Sequence, residues 1–121
     1  MAKPVITSTH TIDASGRTVG RIASEAAKAL MGKMSASYTP NIRSDVKVSI
    51  VNASKVYSRE RKSTSTFLKT YSGWPSGQKV VSIANIAAKK GHGEVIRRAV
   101  ARMLPRNTMH TPRLKNLTIS E

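Results

Sequence analysis

A chain of 121 residues with 21 Lys and Arg against 6 acids has a formal net charge of +15, and self-repulsion on that scale calls for a polyanionic partner. It has no cysteine, which excludes disulfides, thiolate chemistry and Cys-ligated zinc, and no run approaches the roughly 18 apolar residues of a membrane span. The length fits one domain, residues 1–121, and with only 4 % aromatics its core must come from Val, Ile, Leu, Ala and Met.

Residues 1–11 read as an N-terminal arm: Pro4 and the polar cluster TSTHT lead towards a short strand. His10 stands without a second His or a carboxylate cluster near it in sequence, and is expected to be a solvated or core-edge histidine rather than a ligand or base. The stretch IDASGRTVGRIASEAAKALMGK then predicts a strand end at 12–14, a glycine turn, one long helix and a stop at Gly32. Val19, Ile22, Ala26 and Leu30 recur three and four apart and form an apolar face. Gly16, Gly20, Ala23 and Ala27 make a thin seam beside it, small enough to admit another backbone. Arg17, Arg21, Ser24 and Lys28 fall on the opposite, cationic face.

The segment MSASYTPNIRSD has no apolar period and contains Pro40, so it reads as a loop. VKVSIVNAS follows as the best strand, with Val46, Val48 and Ile50 alternating with Lys47 and Ser49. Its nearly continuous second half is what a strand covered on both faces requires. Strand, helix and strand in this order predict a parallel crossover.

From Lys55 to Lys79 the chain reads as a long basic, aromatic loop. Lys55, Arg59, Arg61, Lys62, Lys69 and Lys79 face the single acid Glu60, and Tyr57, Phe67, Tyr71 and Trp74 are interleaved with them. FLKTY could pair as a short strand, and SGWPSG is turn chemistry. Exposed aromatics among cations suit stacking on nucleic-acid bases. Val80, Ile83, Ala84 and Ala87 predict a second amphipathic helix over 80–90. Gly91-His92-Gly93 interrupts it, and a third helix starts at Glu94. Its face Val95, Ile96, Ala99, Val100 and Met103 opposes Arg97, Arg98 and Arg102, and Pro105 stops it. Residues 105–121 read as a basic, proline-punctuated tail closing with the strand LTI.

Six acids and three histidines make a poor inventory for an active site. His10, Asp13 and Ser15 lie too close along one strand to converge as a triad, and no nucleophile elbow is present. DASGRTVG matches neither the GxGxxG nor the GxxxxGK[ST] phosphate loop, so its glycines are assigned to packing and Asp13 to a turn or cap. No catalytic residue, metal, cofactor or small-molecule substrate is expected. A nucleotide-dependent enzyme using that turn and a basic DNA-binding, nucleoid-type protein are the competing readings. The second would need a recognition helix or a two-fold dimer, and neither pattern is visible.

Six stretches in order carry a resemblance to a known family. They are IDASGRTVGRIAS, the helix end at Gly32-Lys33, YTP at 38–40, VNASKV at 51–56, KTYSGWPSGQK at 69–79 and AVARMLPRN at 99–107. Together they resemble the L-thirteen family of large-subunit ribosomal proteins. The resemblance implies a three-layer α/β/α domain around a small, mainly parallel sheet of about four strands. It also implies a non-enzymatic role in the cytoplasm, in assembling and stabilising the large subunit. The partners implied are its rRNA and neighbouring ribosomal proteins, with no membrane and no homo-oligomer. Arg17, Arg21, Lys28, Lys33, Arg102, Arg106, Asn107, Arg113 and Lys115 are then expected at RNA. Lys55, Arg59, Arg61, Lys62, Lys69, Tyr71, Trp74 and Lys79 join them from the basic loop. The chain departs from the family where Ser76-Gly77 replaces a common glycine pair and where NTMHTPR follows MLP.

Overall fold

Strand β2 (Lys47–Val51) is the middle of a three-stranded parallel sheet, flanked by β1 (Thr9–Asp13) and β5 (Leu117–Ile119). These strands belong to a computed structural model in which residues 8–121 are described. The register sets Ile12 beside Ile50 and Val48 beside Leu117, so the buried residues of all three strands share one face. Helix α1 (Val19–Met31) connects β1 to β2 as the crossover its apolar face predicts, and packs on that side with α4 (His92–Met103). Ile22, Ala23, Ala26, Ala27 and Leu30 of α1 join Ile96 and Val100 of α4 in a single core. Alanines here let the two helices approach closely.

The fold is α/β with a small, mainly parallel sheet, but its layering is simpler than three layers. The second face of the sheet presents Thr9, Thr11, Lys47 and Thr118, all exposed, so alternation rather than double-sided burial describes these strands. Among the described residues the parallel sheet has three strands rather than about four. The other two, β3 (Phe67–Tyr71) and β4 (Gln78–Ser82), form a separate antiparallel hairpin.

That hairpin replaces most of the long loop expected at 55–79, and a short helix, α2 (Glu60–Ser65), precedes it. The helix expected from Val80 begins later, as α3 (Ile83–Lys90). Ser82 is its N-cap and accepts from the Asn85 N–H at 3.3 Å, which sets the helix start and leaves Gln78–Ser82 to pair with β3. Helix α4 starts earlier than Glu94: the Gly93 N–H in its open first turn is satisfied by Glu121 Oε1 at 2.9 Å. The tail contains an unpredicted helix, α5 (His110–Lys115), whose Pro112 sits in the first turn, where no amide donor is needed. His110 Nε2 lies 2.8 Å from the Ala101 carbonyl oxygen and ties α5 to α4. Of the N-terminal arm, Thr9–Thr11 already belong to β1, and residues 1–7 lie outside the described residues.

Candidate nucleic-acid interface

The β1–α1 turn is built by Asp13, whose Oδ1 accepts from the Ser15 N–H at 3.0 Å and from Asn52 Nδ2 at 3.1 Å. These donors, the Ser15 amide first, hold the carboxyl below its ordinary value. Asp13 is therefore the turn acceptor its strand-end position suggested. Gly16 follows at φ +66°, a left-handed conformation that would strain a side chain. A Cβ on Gly16 or Gly20 would meet nothing within 4 Å, so neither glycine serves the close packing assigned to it.

On α1, Arg21, Ser24 and Lys28 are exposed, as their spacing requires. Arg21 and Lys28 stand about two turns apart on one side. Arg17 does not lie on the helix face with them. It precedes the N-cap Thr18, and its Nη2 donates to Glu25 Oε2 at 2.6 Å, with His10 Nε2 3.3 Å from the other oxygen. The Arg17 hydrogen bond holds the Glu25 carboxyl below its ordinary value against the opposing effect of partial burial. Arg17 is thus paired with Glu25 while its side chain stays 38 % exposed. Lys33, just beyond the Gly32 cap, lies over the Tyr38 ring, its ammonium 6.0 Å from the centroid.

Lys55, Arg59, Arg61 and Lys62 are all exposed, and α2 gives the last two a fixed base. Beside α2 runs a groove of about 470 Å³. Val19, Ile83, Val95 and Ala99 line it, with Gly20, Tyr57, Arg59 and Lys62 also bordering it. Tyr57 was not among the expected contact residues. It is 54 % exposed, and the signal for it was present in the aromatic–cation interleaving around it.

In the hairpin, Phe67, Lys69 and Tyr71 alternate onto one face, opposite Ser82, Val80 and Gln78 respectively. Tyr71 and Trp74 are the most exposed large rings among the described residues, at 67 % and 76 %. Leu68 and Val81, paired on the other face, are half-buried, so the Phe67–Tyr71 face is the outward one. Lys79 pairs with Thr70 and projects to the opposite face from Lys69.

Arg102, Arg106, Asn107 and Lys115 are exposed at the other end, although Asn107 Oδ1 is engaged by the Met109 N–H at 3.0 Å. Arg113 corrects the expectation. Only 2 % exposed, it buries its guanidinium beneath α5 with Nε unpartnered and Nη2 4.0 Å from the Met109 sulfur. It cannot meet a phosphate at the surface without α5 moving. Among the described residues no cluster of three His, Asp or Glu could hold a metal, and no helix is long and apolar enough to cross a membrane. What the surface offers is dispersed cation and aromatic contact.

The sequence profile of the family described as "Ribosomal protein L13" matches residues 7–121. Among curated proteins, the chain is similar to "Large ribosomal subunit protein uL13" of several bacteria. It is 37 % identical to that of Caldanaerobacter subterraneus subsp. tengcongensis, covering 98 % of this chain and 84 % of the relative. For Treponema pallidum the identity is 39 %, over 91 % of this chain and 77 % of the relative. For Chlamydia caviae it is 37 %, over 91 % and 73 %. With the α/β fold in place, these matches identify the chain as a member of the ribosomal protein L13 family.

Proposed function

We propose that the protein is a structural, non-enzymatic constituent of the large ribosomal subunit. It binds the subunit's rRNA in the cytoplasm, as one copy among neighbouring ribosomal proteins, and supports subunit assembly and translation. The observation that carries this reading is a ribosomal-protein family match over residues 7–121 of a chain with formal net charge +15. The exposed cations support it. Arg21, Lys28 and Lys33 would serve one contact region, with Lys55, Arg59, Arg61 and Lys62 serving a second. Lys69, Tyr71, Trp74 and Lys79 would form a third, and Arg102, Arg106, Asn107 and Lys115 a fourth. Arg113 is left out because it is buried, and Arg17 because its guanidinium is paired with Glu25.

The test is sedimentation of the native protein with the large subunit through a moderate-salt gradient, paired with binding to rRNA fragments. If the exposed cations neutralise about 6–10 phosphates, affinity should fall by ~10³–10⁵ between 50 and 200 mM salt. Salt-insensitive binding, or absence from the subunit, overturns the reading. Equal affinity for duplex DNA and structured rRNA would instead favour a nucleoid-type protein, which family membership weighs against.

A further inference from the structure

The groove beside α2 has features that phosphate contact alone does not use. Gly20 is a helical residue without a positive φ, and a Cβ there would touch nothing within 4 Å. Glycine disfavours a helix relative to alanine, so the fold itself gains nothing from having it at this position. A missing side chain on a groove wall does benefit a ligand that must come close to the α1 backbone. Tyr57 borders the same groove, 54 % exposed and carrying a phenol that can donate or accept. Val19, Ile83, Val95 and Ala99 give the groove an aliphatic lining, and Thr18 and Ser58 also border it. Arg59 and Lys62 close one side, exposed and making no ion pair among the described residues.

We propose that this groove holds a single extruded base of the rRNA, stacked on Tyr57, with Gly20 admitting its backbone and Arg59 and Lys62 on the adjoining phosphates. The inference rests on the rRNA-binding reading and specifies one site within it. A flat ring suits a groove with an aliphatic lining and an exposed tyrosine at its border, and the bordering cations complement the phosphates that accompany a nucleotide. A duplex could not enter, because its bases are stacked inward. Recognition is therefore of an unpaired nucleotide in a loop or bulge.

The experiment is ultraviolet crosslinking of large subunits containing the protein, followed by RNase digestion and mass spectrometry of the peptides. The expected result is a nucleotide adduct on the peptide bearing Tyr57, from one rRNA position. Gly20→Leu fills the groove and should abolish the adduct while the protein still sediments with the subunit. For a cognate rRNA fragment, Tyr57→Ala should weaken binding by roughly 5- to 150-fold, the range for losing one stacked base. Tyr57→Phe should stay within about twofold, because the stacking face is kept. If Gly20→Leu lowers the melting temperature, the Tyr57 pair decides alone. A protein adduct in place of a nucleotide overturns the proposal, as does unchanged affinity of Tyr57→Ala. Wild-type protein absent from the subunit would overturn the broader reading instead, so the two failures are separable.

Discussion

Glu25 joins three parts of the chain: β1 through His10, the glycine turn through Arg17, and α1, on which it lies. Its carboxyl is held below the ordinary value chiefly by the Arg17 hydrogen bond. A carboxylate with a lower pKa folded than unfolded contributes stability that is fully present above its unfolded value. That contribution is lost as pH falls through the folded value. Glu25→Gln should therefore lower the urea midpoint at neutral pH, and the gap to wild type should close as pH drops below the ordinary carboxylate range. Urea titrations at neutral pH and near pH 3 check this, and a gap that persists in acid would mean that packing rather than charge supplies the effect. At this scale the sequence announces charge but not its partner. Arg17 sits in helical register with Arg21 and Lys28, yet a helix that begins after Thr18 leaves it free to turn back to Glu25. Arg113 misleads in the same way, because its burial depends on α5, and Pro112 hides that helix.

Helix α1 was the most legible element because several signals agree over Val19–Met31: apolar period, flanking glycines and a cationic outer face. Its stop is also the most constrained. Gly32 has φ +81°, its N–H bonds to the Ala29 carbonyl, and a Cβ there would lie 2.8 Å from Ser44 Cβ and Oγ. Gly32→Ala should destabilise by about 1–2 kcal/mol from the left-handed backbone alone, with the Ser44 clash adding to it. Thermal or chemical denaturation reads this directly, and an unchanged midpoint would mean that the cap relaxes freely. The hairpin was the least legible element. Val80, Ile83, Ala84 and Ala87 satisfy helical spacing, but the β-branched Val80-Val81 pair and the capping Ser82 divide the stretch into strand and helix. In its turn Ser76 takes φ +64°, strained for a serine.

For the whole molecule, five ion pairs among the described residues involve only Glu25, Asp45, Glu94 and Glu121 as acids, two of them with histidine. Most of the cations thus face solvent uncompensated. Raising salt from about 20 to 300 mM should increase the melting temperature of the free protein by screening this repulsion, while weakening its hold on RNA. Calorimetry of the free protein checks the first effect, and a melting temperature that falls with salt would show that attractive pairs dominate. The α/β class and the crossover were legible because they follow from local periodicity. The three-strand count was not, since pairing between residues far apart leaves no periodic trace.

The strand order β1–β2–β5 has a consequence for biosynthesis. The middle strand of the sheet is made early, but one of its two hydrogen-bonded neighbours is β5, at residues 117–119. Ser120 then clamps the same edge, its N–H donating to the Ile50 carbonyl at 2.9 Å and its own carbonyl accepting from Ala53 N–H at 3.1 Å. While residues 52–116 are being translated, β2 therefore has an open backbone edge in a nascent chain that is already strongly cationic. The sheet closes only when Leu117–Ser120 emerge, so this domain reaches its native form after translation of those residues rather than progressively along the chain.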